Sequence, residues 1–161
     1  MSKFKALMLS AAMFSTIGAA QAEEKNRIPL KIFGQNVIEG YDGCSFSLWQ
    51  HNRDPNEDTY AYVFYAPIHD GGEMPGWMKI GDKVHEMYRQ DTSETGDGYL
   101  SSYQLYKSGD GEYWVIMELI SQQREGNDII IDNAELTIVQ SGKFPFVSVA
   151  KGKSGCPAHM Y

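Results

Sequence analysis

The chain is poor in cysteine, in helical periodicity and in positive charge, and each shortage narrows what it can be. Only Cys44 and Cys156 are present, so neither a four-cysteine metal centre nor a Cys-x-x-Cys redox pair can be built. Apolar residues at the i, i+3, i+4 spacing of a buried helix face are nearly absent, which argues against a helical bundle. Acidic residues outnumber basic ones 21 to 14, a balance that disfavours nucleic acid and anionic lipid, whose phosphates such a surface repels. A cationic protein or a small ligand is the partner class that this charge favours. Catalytic signatures are missing too. No G-x-S-x-G elbow and no His-Glu-x-x-His pair occurs, and His69 and Asp70 are neighbours that would point apart on a strand. A non-enzymatic protein without a cofactor is therefore expected, with a small hydrolase built on a carboxylate pair as the alternative.

What the chain does have begins with an address. Lys3 and Lys5, an apolar run from Ala6 to Ala20 and the triplet Ala20-Gln21-Ala22 read as a secretory signal peptide covering residues 1–22. The run is too short to span a bilayer, so a periplasmic or secreted protein that does not cross the membrane is expected. Residues 23–161 then form a single β domain, with a net charge of about −9 from 12 basic and 21 acidic residues. In an oxidising compartment the two cysteines are most simply one disulfide, Cys44 to Cys156, tying the ends of the domain together. Chain entropy assigns such a closure roughly 4 to 5 kcal/mol as an upper value.

Short segments rich in Val, Ile, Tyr, Phe and Trp alternate with clusters of Gly, Asp, Asn and Pro, the pattern of strands joined by turns. Strands are expected at 30–33, 44–50, 59–66, 77–80, 84–89, 99–107, 112–121, 129–139 and 144–150. Phe46 and Leu48 share one face and Ser45 and Ser47 the other, until Trp49 breaks the alternation. Tyr60 to Ala66 is apolar on both faces and suits a central strand. Tyr113, Val115, Met117 and Leu119 alternate with a face carrying Trp114, Ile116, Glu118 and Ile120. Ser108-Gly109-Asp110-Gly111 is a strong hairpin signal, Gly81-Asp82 and Ser141-Gly142 weaker ones, and Asp132-Asn133 either splits its strand or marks a bulge. The sum is an all-β antiparallel meander of about eight strands, a small barrel or a sandwich. A polar, frayed start is expected at 23–27.

Three sets of residues could bind something. The loops at 51–58, 69–76 and 108–112 are the least regular segments on the scaffold, and a protein partner or small ligand is expected there. Asp54, Asn56 and Asp58 open like a calcium loop, but Thr59 and Tyr65 stand where the glycine and the closing glutamate belong, so an acidic turn is the plainer reading. His69, Met74, Met78, His85, Met87, His159 and Met160 offer imidazole and thioether ligands suited to copper, at irregular spacing. Trp49, Trp77 and Trp114, with ten tyrosines, either line a pocket for lipid or sugar or fill the interior as cross-strand pairs.

The run Ser108-Gly109-Asp110-Gly111-Glu112-Tyr113 resembles the S-G-x-G-x-x-Y loop of the periplasmic C-type lysozyme inhibitors, with one residue missing between Gly111 and Tyr113. That family consists of small exported β-barrels with a disulfide. The resemblance implies that this turn enters a lysozyme cleft and that an acidic surface steers it there. More broadly, the chain resembles small exported proteobacterial β proteins of unassigned role.

Overall fold

Side chains that alternate between water and a covered face can be satisfied by a sheet that curls until its first and last strands meet. That is the arrangement found. The computed structural model describes residues 26–37, 41, 43–58, 60–69, 72–95 and 99–156. The leader, Asp70, His159 and Met160 lie outside the described residues. Among the described residues ten strands follow one another: β1 (Leu30–Lys31), β2 (Ser45–Gln50), β3 (Tyr62–His69), β4 (Gly72–Glu73), β5 (Gly76–Ile80), β6 (Lys83–Thr92), β7 (Tyr103–Ser108), β8 (Tyr113–Glu125), β9 (Asp128–Gln140) and β10 (Phe146–Gly155). The sole helical element among the described residues is a 3₁₀ turn at Gln35–Val37.

Every pairing is antiparallel; the barrel strands run in the order β2-β3-β5-β6-β7-β8-β9-β10, and β10 then pairs with β2 to close an eight-stranded up-and-down barrel. Two seams complete the ring, and they differ. At β2 and β10 six residue pairs run from Ala150–Gln50 to Gly155–Ser45, and the Cys44–Cys156 disulfide follows at once, with α-carbons 3.9 Å apart. Gly152 faces inward on this seam, where a β-carbon would strike the Ser47 carbonyl. At β3 and β5 a single pair, Tyr65–Trp77, makes the ladder, with the two rings stacked 6.0 Å apart. Gly76 beside it lies under the ring of Phe64, so the strand with no side chain there is covered by an aromatic face.

The core lies inside the barrel. Leu48, Val63, Phe64, Met78, Met87, Val115, Met117, Leu136 and Ile138 are fully buried. The expected alternation is realised in β8, whose Tyr113, Val115, Met117 and Leu119 face in, and β3 is covered on both faces from Val63 to Ala66. Where Trp49 breaks the pattern the register of β2 on β3 shifts. Asp132 and Asn133 lie at a bulge facing both β8 and β10 while β9 runs on unbroken.

Several strand limits differ from expectation, each for a local reason. Residues 99–102 are not strand, because Ser101 Oγ donates to the Ser93 carbonyl and Gln122 clasps both main-chain groups of Leu100, which replaces a ladder with side-chain bonds. Tyr60 lies before β3, its N–H held by the Asp58 carboxylate. β8 and β9 are longer than expected and meet at a two-residue Gly126-Asn127 turn with Gly126 at φ +63°. The start of the domain is tied rather than frayed from Asn26 onward, since Phe144 N–H donates to its carbonyl; residues 23–25 lie outside the described set.

Candidate functional site

In an up-and-down barrel alternate turns gather at opposite ends, and the two ends here are finished differently. One holds the turns at 51–61, 81–82, 109–112 and 141–145. Residues 26–33 cross it as a strap. Asn26 is bonded to Phe144 on one side, Gly81 N–H donates to the Pro29 carbonyl on the other, and Phe33 exchanges two hydrogen bonds with Tyr62 at the start of β3. β1 thus pairs with β5 at Leu30–Ile80 and Lys31–Lys79 and fills the gap where β3 and β5 part. Ile28 and Phe33 are 2% and 1% exposed, so the strap is core rather than cover.

Beside the strap, the β7–β8 turn is held by its own side chains. Ser108 Oγ donates to Asp110 at 2.7 Å and accepts from Tyr113 N–H at 2.9 Å. The second Asp110 oxygen meets Lys83 Nζ at 2.9 Å and His85 Nδ1 at 3.1 Å. The Ser108 hydroxyl, the Lys83 ammonium and the Glu112 N–H together hold the Asp110 carboxyl far below its ordinary range. Burial, then the neighbouring Glu112, push the Tyr113 phenol up. His85 is buried with its ring edge-on to Tyr113 at 5.0 Å. Serine, aspartate and histidine meet here, but the carboxylate stands between the other two. It contacts both the hydroxyl and the imidazole, whereas nucleophilic catalysis needs imidazole on the hydroxyl. The arrangement latches two hairpins together.

Among the described residues no strap crosses the other end, called here the open end. Phe46 and Ile68 from β2 and β3, Met74 before β5, Arg89 on β6, Thr95, Leu100 and Ser101 between β6 and β7, and Gln104 and Tyr106 on β7 are among the residues that surround a pocket of about 120 Å³. Ile68, Met74 and Tyr99 are exposed at its rim. Its floor is polar. Tyr106 Oη donates to Gln104 Oε1 at 2.7 Å, Gln104 Nε2 donates to the Ser101 carbonyl at 3.4 Å, and Ser101 Oγ donates to the Ser93 carbonyl at 2.8 Å. Gln104 is buried, and its amide keeps a second N–H and a second lone pair beyond these bonds.

The sequence candidates are therefore divided. The loops at 51–58 and 108–112 lie at the strapped end and the 69–76 connection at the open end, so the three do not form one surface. Within the 108–113 run, Gly109, Asp110, Gly111 and Glu112 are exposed, while Ser108 and Tyr113 are buried with the partners just given. Asp54 accepts Asn56 N–H at 2.8 Å and Asp58 is paired with Arg53, the acidic turn of the plainer reading. Met74 is at the open rim, His85 is inside the strapped end, and His69 ends β3 with its side chain outside the described set. Among the described residues no three His, Cys, Asp or Glu side chains come together as a metal set. The tryptophans stand on three different strands, β2, β5 and β8: Trp77 stacks on Tyr65, Trp114 faces out, and the indole N–H of Trp49 is buried without a partner. Among the described residues no helix is long and apolar enough to cross a membrane. The residues that line the open end escaped sequence reasoning, apart from Met74 and the 69–76 loop; the one local signal is a glutamine at an inward position between Tyr103 and Tyr106. No protein-family model, no curated protein and no solved structure matches the chain.

Proposed function

We propose that this is an exported, non-enzymatic binding protein that takes a small ring-sized apolar group, carrying one hydroxyl or carbonyl, into the open end of its barrel. The observation that carries the reading is the buried Gln104 at the floor of a pocket whose wall is mostly apolar, with Arg89, Thr95 and Ser101 as its other polar members. Barrel mouths with apolar walls and a few convergent polar groups are common ligand sites, and a volume near 120 Å³ admits a single ring or short branched chain rather than a whole drug-sized molecule. The leader and the disulfide support a periplasmic or secreted location.

Phenol tests it, having one ring and one hydroxyl. Titrated into the isotope-labelled mature protein, it is expected to shift the amide signals of Leu100, Ser101, Gln104 and Tyr106 and to leave the strapped end unmoved. A Gln104→Leu variant that keeps its fold is expected to lose the response. Absence of any shift at millimolar phenol, or shifts confined to the strapped end, would overturn the reading.

A further inference from the structure

A second surface lies on the outer wall, away from both ends. On β7 to β10 the outward residues stand in direct cross-strand register: Leu105, Ile116, Thr137 and Val147 form one row, and Tyr103, Glu118, Glu135 and Val149 the next. Trp114 and Val139 continue the face on one side and Ile120 on the other. Ile120, Val147 and Val149 are 61%, 52% and 49% exposed. With strands about 5 Å apart and rows about 7 Å apart, the face has a footprint of roughly 300 Å², and Trp114, Ile120, Val147 and Val149 are its exposed apolar members.

Its centre is charged. Glu118 and Glu135 are directly opposed on neighbouring strands, with β-carbons about 5 Å apart, a like-charge pairing that opposes sheet formation. Among the described residues neither carboxylate has a cation within ion-pair distance. Of the lysines on this wall, Lys107 lies over the Trp114 ring at 5.0 Å and Lys153 pairs with Asp128 at 2.6 Å, while Lys151, two residues beyond Val149 on β10, stands diagonal to Glu135 and forms no ion pair with it. Two opposed carboxylates inside an apolar frame describe their complement. We propose that this face docks a protein segment presenting arginine or lysine flanked by large apolar side chains.

The fold restricts how that segment can bind. β8 and β9 are paired on both edges within the closed barrel, so no strand can add to them, and the partner must read side chains from above. The acidic pair sets the face against anionic lipid, which would otherwise suit exposed Val147, Val149 and Trp114. This proposal is independent of ligand capture at the open end, because no residue of the face lines that pocket.

The test uses three synthetic peptides alternating leucine with arginine, with glutamine or with glutamate, each titrated into the labelled mature chain. The leucine–arginine peptide is expected to bind and to shift Ile116, Glu118, Glu135, Val147 and Val149. Its affinity is expected to fall about tenfold when both glutamates become glutamine, Glu118→Gln with Glu135→Gln. That variant loses a repulsion, so its melting temperature is expected to hold or rise, which separates lost docking from lost folding. A Val147→Ser, Val149→Ser variant is expected to bind more weakly as well. Equal binding of the glutamine or glutamate peptide, shifts mapping to another surface, or unchanged affinity in the double-glutamine variant would overturn the proposal.

Discussion

The two ends of this barrel are built from the same eight strands and do opposite things with them. At the strapped end Ile28 and Phe33 complete the core, and the Asp110 latch binds two turns to each other. At the open end Ile68, Met74 and Tyr99 stay in contact with water around a polar floor. The difference teaches where stability and binding are separated: one end is finished by apolar burial, the other is left with groups whose bonding capacity is not used up. Residues at the strapped end are therefore expected to be costly to change, and rim residues at the open end cheap.

The largest effect is expected from Phe33→Ala, which empties a fully buried ring site in the strap and removes about 3 to 5 kcal/mol of stability in a denaturant titration. Met74→Ala at the open rim is its counterpart, expected within about 0.5 kcal/mol. Similar losses for the two would break the comparison. Next in size is the seam itself. Cys44→Ala with Cys156→Ala is expected to cost about 2 to 5 kcal/mol, and calorimetry with and without phenol shows whether the ligand still binds the weakened barrel.

A smaller effect sharpens the account of the floor. Tyr106→Phe removes one donor from Gln104, with an expected loss of about 1 kcal/mol and a change in phenol affinity, whereas the same ring change at exposed Tyr60 is expected to alter neither. The smallest effect is one of pH. The Asp110 carboxyl sits below its ordinary value of 3.8 in the folded chain, so the unfolded chain takes up its proton first as pH falls. Its stabilising contribution is thus full above about pH 4 and is lost as pH drops through the folded value. Urea midpoints between pH 2 and pH 6 are expected to fall less steeply for Asp110→Asn than for the parent; parallel curves would remove the latch from the explanation of the strapped end.

The sheet was legible because period-two alternation and turn glycines are local signals. Val115 and Met117 announce their face within a few residues, and Gly111 and Gly142 take the positive φ that their turns need. The strap was legible only in part, as the extended stretch at 30–33 that holds β1 and the Phe33 bridge; its path across the barrel end was not. Ile28 and Phe33 are separated by Pro29, Leu30, Lys31 and Ile32 in no strand or helix period, and their burial comes from lying across strands that follow much later in the chain. The open end escaped for the same reason, since its walls come from six separate strands and connections. Ser108 and Tyr113 looked like a presented loop because Ser-Gly-Asp-Gly marks an exposed turn; the sequence carries no sign that the serine turns back to cap it.

The disulfide has one more consequence. It joins the residue before the first barrel strand to the residue after the last, so the eight strands form a single covalent ring. One peptide bond cut in any connection between them opens the ring into a linear chain of strands without releasing a fragment. A protease that nicks the 141–145 turn, for example, leaves β10 attached through Cys156 to β2. A sample nicked once by a protease is expected to migrate as one species until it is reduced and then as two.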